Sequence, residues 1–226
     1  MTTLITALDY SDEASALETV SKIGDAGTWY KVGKELFTAA GPSIVKKLKA
    51  MDKKVFLDLK FHDIPNTVSK AVRSAAAIGA DLCNVHASGG RAMLTAAGEA
   101  AREAGIRLIA VTVLTSMDAA ELESIGITAS PQEQVIRLAK LTQACGVPGV
   151  VCSALELPAI RRECGADFLT VVPGIRPAGS SADDQRRIMT PAQAAAAGAD
   201  FIVVGRPITK AENPAAAAAA VMAELA

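Results

Sequence analysis

KVFLDLKFHDIPNTV, residues 54–68, contains one complete structural unit. Its first half, KVFLDLK (54–60), is a short apolar run with little alternation. That is the pattern of a parallel strand covered on both faces. The polar turn that follows leads to Pro65, at a helix start, where the missing N–H costs nothing. A strand running directly into a helix is the repeating unit of parallel α/β folds.

The same unit recurs in both directions. Strands are expected at LITALD (4–9) and WYKVG (29–33) upstream. Downstream they are expected at LCNVHA (82–87), RLIAVTVLT (107–115), GVVCS (149–153), FLTVVPGI (168–175) and FIVVGRPI (201–208). Helices fall between them, over 12–26, 89–104, 131–145 and 154–164. Glycines close them at Gly105, Gly146 and Gly165, and Gly79 and Gly198 end two others. Pro131, Pro191 and Pro214 stand near helix starts. The alanines of 215–220 favour a final helix by propensity alone. No linker, charge block or composition break divides the chain, so residues 1–226 are expected to form a single domain, an α/β (β/α)8 TIM barrel. The alternative, a doubly wound open sheet, lacks support because no GxGxxG or GxxxxGK[ST] follows the first strand.

Composition narrows the function classes. Of 226 residues half are hydrophobic, enough for a substantial core, and the formal net charge is −1. That balance excludes a general nucleic-acid or anionic-membrane binder and leaves room for a local phosphate site. Cys83, Cys145, Cys152 and Cys164 form no CxxC pair, which argues for buried thiols rather than zinc or disulfides. The N-terminus has no basic start, and no apolar run nears the about 18 residues of a membrane span. A soluble cytoplasmic protein is the expectation.

In a barrel of this kind the chemistry sits at the C-terminal ends of the strands. Those ends carry Asp9, Lys31, Asp58 with Lys60, His86, Thr115 with Ser116, Pro173-Gly174 and Gly205-Arg206. Charged side chains at an apolar mouth are unfavourable unless paired, so this concentration needs a reason. On strand three the period of two puts Asp58 and Lys60 on one face, with Asp63 in the turn beyond. Two carboxylates bracketing Lys60 would keep it charged, a poor Schiff-base nucleophile and a well-placed proton donor. His62 and His86, without HExxH or a carboxylate triad, make a poor metal site.

DLKFHDIPNTV (58–68) closely resembles the signature of the orotidine 5′-phosphate decarboxylases, which make UMP from orotidine 5′-phosphate (OMP). LDYSD, WYKVGKELF, VTVLTS, VVPGIRP, DDQRRIMTP and VVGRPIT match in the same order. The likeness spans the chain and is to the compact bacterial type.

The resemblance implies cofactor-free and metal-free decarboxylation of OMP. Lys60 would deliver a proton to the pyrimidine C6, and Asp58 would sit beside the scissile carboxylate. Lys31 would bind a ribose hydroxyl and complete the charged network, with Asp9 also on the ribose. Asp63, Ile64 and Thr67 would be contributed by the neighbouring subunit, implying a homodimer. Thr115 is the first choice for contact with the base and Ser116 the second. Pro173 would border the substrate, and Arg176, Gln185, Gly205 and Arg206 would hold the phosphate. The polar segment 176–188 is expected to be a lid. Two alternatives stay open: a Mg²⁺-dependent 3-keto-gulonate-6-phosphate decarboxylase or hexulose-phosphate synthase, and a non-catalytic phosphate-ligand-binding barrel.

Overall fold

A computed structural model describes residues 1–177 and 189–225. Eight strands close into a parallel barrel: β1 (Thr3–Leu8), β2 (Trp29–Gly33), β3 (Lys54–Phe61), β4 (Leu82–His86), β5 (Arg107–Val111), β6 (Gly149–Val151), β7 (Leu169–Val172) and β8 (Phe201–Val204). Each pairs with the next in sequence, and β8 returns to β1 with Thr3 opposite Phe201. Around them run α1 (Glu13–Ile23), α2 (Lys34–Ala40), α3 (Ser43–Ala50), α4 (Pro65–Ala77), α5 (Gly90–Ala104), α6 (Ala119–Ser124), α7 (Pro131–Ala144), α8 (Leu157–Cys164), α9 (Pro191–Ala196), α10 (Arg206–Thr209) and α11 (Pro214–Ala223). No helix among the described residues is long and apolar enough to cross a membrane.

Local chemistry fixes the ends of these helices. The Asp12 carboxylate accepts from Ser15 N at 2.8 Å and starts α1. Pro131, Pro191 and Pro214 occupy the first turns of α7, α9 and α11, and Ser130 with Glu133 closes a reciprocal cap on α7. Gly105 stops α5 in the left-handed conformation, where a side chain would be strained.

Two apolar shells hold the barrel. The outer one lies between strands and helices and contains the buried thiols Cys83, Cys145, Cys152 and Cys164, all unpaired. The inner one plugs the barrel with Ile5, Trp29, Phe56, Leu82, Ile109 and Phe201, among others. Trp29 meets Phe201 edge-on, with ring centroids 5.5 Å apart. Because strand side chains alternate, the next inward position after each plug residue lies one layer nearer the C-terminal mouth. After Trp29 comes Lys31, after Phe56 Asp58, and after Leu82 Asn84. An apolar plug thus gives way to polar groups at that end.

Three strands end at least three residues earlier than the sequence suggests. β5 stops at Val111 rather than 115: its last ladder bond to β6 runs from Thr112 N to the Val151 carbonyl at 3.3 Å, an oxygen the Thr112 hydroxyl also reaches at 2.8 Å. Beyond it the chain turns, with Met117 N donating to Leu114 O at 2.9 Å. β7 stops at Val172, before the Pro173 that has no N–H to give a ladder. β8 stops at Val204, and the GRPI expected to continue it turns into α10, with Ile208 N donating to Gly205 O at 2.8 Å. The expected lid falls largely on residues 178–188, which lie outside the described residues, as does Gln185.

Candidate active site

At the C-terminal mouth the strands present a row of alternating charges. Lys31 Nζ lies 2.7 Å from Asp9 Oδ1 and 3.7 Å from Asp58 Oδ2, and Lys60 Nζ lies 2.6 Å from Asp58 Oδ1. The order is acid, base, acid, base. Lys31 and Asp58 are largely sequestered, with side chains 12% and 13% exposed, whereas Asp9 is open to solvent. Burial alone would raise the Asp58 pKa, but the Lys31 and Lys60 ammonium groups outweigh it and hold this carboxyl below its ordinary value. Asp58 is therefore an anion at neutral pH.

Above Phe56 opens a cavity of about 180 Å³. Lys31, Asp58, Lys60 and Thr115 line it together with Cys152, Pro173 and the aliphatic side chains of Val111, Val113, Leu114, Val151, Val171 and Val203. Fixed charges facing aliphatic walls interact more strongly than they would in water. A second cavity, of about 250 Å³, lies at the opposite end among Met1, Thr6, Gly27, Met222 and Leu225, and no charged side chain lines it. Of these two, only the first is lined by charged side chains.

Lys60 reaches the cavity by an irregular route. The β3–β4 pairing runs Leu57 to Cys83 and then Phe61 to Val85, so four residue steps on β3 stand against two on β4. Within that bulge Lys60 adopts φ +54°, a left-handed conformation uncommon for a residue with a side chain. Regular alternation does not persist as far as Lys60, although its ammonium still returns to Asp58.

The structure thus gathers Lys31, Asp58, Lys60, Thr115 and Pro173 around one space, with Asp9 tied to Lys31. Gly205 stands beside Asp9: a Cβ built there would lie 3.7 Å from Asp9 Oδ2. Thr115 and Ser116 lie beyond the end of β5, and of the two only Thr115 borders the cavity. Arg206 is exposed at the first turn of α10. Arg176 is buried and donates to the Ile175 carbonyl at 3.0 Å.

Asp63 does not bracket Lys60 within one chain. No ion pair joins the two among the described residues; Asp63 is exposed, and its carboxylate accepts from Ile64 N at 2.6 Å. Ile64, 66% exposed, and Thr67 also face outward at the start of α4. None of the three lines the cavity of its own chain. Among the described residues no group of three His, Cys, Asp or Glu side chains is arranged to hold a metal ion. Asp58, the buried carboxylate of the cavity, has its oxygens facing two ammonium groups and an amide, a donor set unsuited to Mg²⁺.

The family model for "Orotidine 5′-phosphate decarboxylase / HUMPS family" matches residues 2–221. The chain belongs to this family. It is 56% identical over 212 residues to the orotidine 5′-phosphate decarboxylase of Nitrosospira multiformis, covering 94% of this chain and 89% of the relative. With the enzyme of the same name from Halorhodospira halophila it shares 56% identity over 225 residues, 99% of this chain and 95% of the relative. The crystal structure of orotidine 5′-phosphate decarboxylase from Lactobacillus acidophilus superposes with a TM-score of 0.89 at 40% identity, covering 100% of this chain and 99% of that one.

Two residues around this family site have no counterpart in the sequence reading. A Cβ on Gly33 would lie 2.9 Å from Lys31 Nζ and 3.4 Å from Asp9 Oδ1, so the glycine leaves space for that ion pair. Asn84 is fully buried next to Asp58 and Lys60. Its signal was an amide in the middle of the apolar run LCNVHA, a position that needs polar partners.

Proposed function

We propose that this chain decarboxylates OMP to UMP, as its curated relatives are named for doing. The observation that carries the reading is the Asp9–Lys31–Asp58–Lys60 row at the edge of a cavity otherwise lined mostly by apolar side chains. Loss of CO₂ from C6 of the pyrimidine leaves an electron pair that the ring has no ready means of delocalising. Lys60 supplies the charge that stabilises it and then the proton: the C6–carboxylate bond breaks, CO₂ departs, and an Nζ proton forms the new C6–H bond. The lysine recovers its proton from solvent once UMP has left.

The remaining residues bind and orient. Asp9 and Lys31 take the ribose hydroxyls, and Asp58 faces the scissile carboxylate. Thr115 contacts the base, with Ser116 next to it on the same loop, and Pro173 closes one wall. The phosphate is held by Gly205 and Arg206 after β8, together with Arg176 and Gln185. The working unit is a homodimer in which Asp63, Ile64 and Thr67 of one subunit complete the site of the other. Supporting this are the outward placement of all three and the exposed apolar side chains of Ile64 and Leu114 near the mouth.

The test follows the fall in pyrimidine absorbance when OMP is added, with and without EDTA. The expected result is conversion to UMP at the same rate in both. No conversion would contradict the reading, and a rate abolished by EDTA would move the chain to the Mg²⁺-dependent members of the family.

A further inference from the structure

Asn84 lies next to the cavity without bordering it, and its amide spans the two groups at the centre of the proposed chemistry. Its Oδ1 accepts from the Lys60 backbone N–H at 2.8 Å, and its Nδ2 donates to Asp58 Oδ1 at 2.7 Å. The same Asp58 oxygen receives the Lys60 ammonium at 2.6 Å. These bonds form a closed ring: Lys60 backbone, Asn84 amide, Asp58 carboxylate, Lys60 side chain. The orientation of the amide follows from its partners, since a backbone N–H only donates and an ionised carboxylate only accepts.

The ring sits at the β3–β4 bulge, where Lys60 has left the regular ladder. Asn84 gives the displaced N–H an acceptor, so the left-handed turn at Lys60 leaves no unpaired donor at that point. It also engages Asp58 Oδ1, leaving Oδ2 as the oxygen nearer Lys31. We infer that Asn84 is a positioning residue for the decarboxylation, fixing the Lys60 ammonium and the Asp58 carboxylate relative to each other through a single side-chain amide. The inference rests on the reading given under Proposed function.

The experiment compares the wild-type chain with Asn84→Ala and Asn84→Asp, measuring kcat on OMP, affinity for UMP and thermal stability between pH 5 and 8 (about the range of ordinary stability). Wild-type turnover is measured first; its absence would count against the decarboxylase reading, separately from the role of Asn84. Asn84→Ala is expected to lower kcat by about 10²-fold, the effect of misplacing a reacting group by an ångström or so, with UMP affinity changed less than about threefold.

Asn84→Asp supplies a signature that a purely structural residue would not give. Two carboxyls in contact in a buried site share a proton, and the pair's apparent pKa rises. The facing groups are Lys31 on β2, Asp58 and Lys60 on β3, and His86 further along β4, with His62 beside it. All are common to both proteins, so the ratio of variant to wild-type kcat isolates position 84. A protonated Asp at 84 can donate to Asp58 and accept from Lys60 N–H as the amide does. The ratio is therefore expected to be highest in acid and to fall about tenfold per pH unit above the pair's pKa. The inference is overturned if the Ala variant keeps kcat within about threefold of wild type, or if the Asp ratio is flat across pH. Should Asn84→Ala fail to fold, the Asp profile decides alone. An isosteric Asp variant that does not fold even in acid would assign Asn84 a structural role and overturn the inference as well.

Discussion

Mixing two inactive variants tests how the site is divided between subunits. Lys60→Ala removes the proton donor from its own cavity. Asp63→Ala removes a carboxylate that, within its own chain, accepts from Ile64 N and makes no ion pair with Lys60. If Asp63 serves the neighbouring cavity, a heterodimer of the two variants has one site lacking both residues and one site with both intact. Random reassortment of equal amounts makes about half the dimers mixed, each with one working site of two, so the mixture should regain about a quarter of wild-type turnover. The assay is OMP consumption after co-refolding or subunit exchange, with the mixed dimers counted by native mass spectrometry. If Asp63 instead served its own cavity, every site in the mixed dimer would lack one residue. Zero recovery in a sample shown to contain heterodimers would refute the shared-site reasoning.

Other perturbations probe the rim, the acid range and the phosphate end. Gly33→Ala places a Cβ 2.9 Å from the Lys31 ammonium, which can yield as the end of a flexible side chain. Stability should therefore change by less than about 1 kcal/mol while kcat/KM for OMP falls by about tenfold; an unchanged kcat/KM would count against the need for the Asp9–Lys31 pair. His86 is half-buried, and burial, followed by the charges of His62 and Lys60, lowers its pKa from 6.5 to about 4. The folded chain thus resists a proton that the unfolded chain accepts, so stability falls as pH drops from 6.5 to about 4 and is unaffected above that window. Asp58, whose pKa is also lowered, acts in the same sense and contributes to acid loss only below the ordinary carboxylate range. Thermal melts of His86→Gln should show an acid loss smaller by about 1–2 kcal/mol, and a slope equal to wild type would discount this histidine. The double variant Gln185→Ala, Arg206→Ala should lose about 10²-fold in kcat/KM, seen as low turnover at low OMP; full activity there would contradict the phosphate assignment.

How much of this could be read from the sequence differs between strand and loop. WYKVG and KVFLD show both the strand and the layer at which polarity begins, because side chains alternate wherever the strand backbone stays regular. RLIAVTVLT and FIVVGRPI misled at their C-terminal ends. Apolar residues continue past the last ladder bond there, and the chain leaves the sheet in the Leu114–Met117 turn and in the helix turn that Gly205 starts. The charged row was legible as a concentration of Asp and Lys at strand ends. The left-handed backbone of Lys60 was not, because it depends on pairing with β4 and on the amide of Asn84. Spacing put Asp63 near Lys60 along the chain, and only the structure reveals that it is exposed, accepts from Ile64 N and makes no ion pair with Lys60. Gly33 carried no signal at all, since its importance is the room it leaves for the side chain of Lys31.

The central claim is that the Lys60 ammonium both stabilises the developing charge at C6 and delivers the proton. Its most direct test is single-turnover decarboxylation of OMP by Lys60→Ala, with UMP affinity measured on the same sample. The expected outcome is UMP binding close to wild type with the decarboxylation rate reduced by about 10⁴-fold or more, the combined effect of losing an acid catalyst and a fixed charge. A rate near that of the wild-type chain would contradict the assignment.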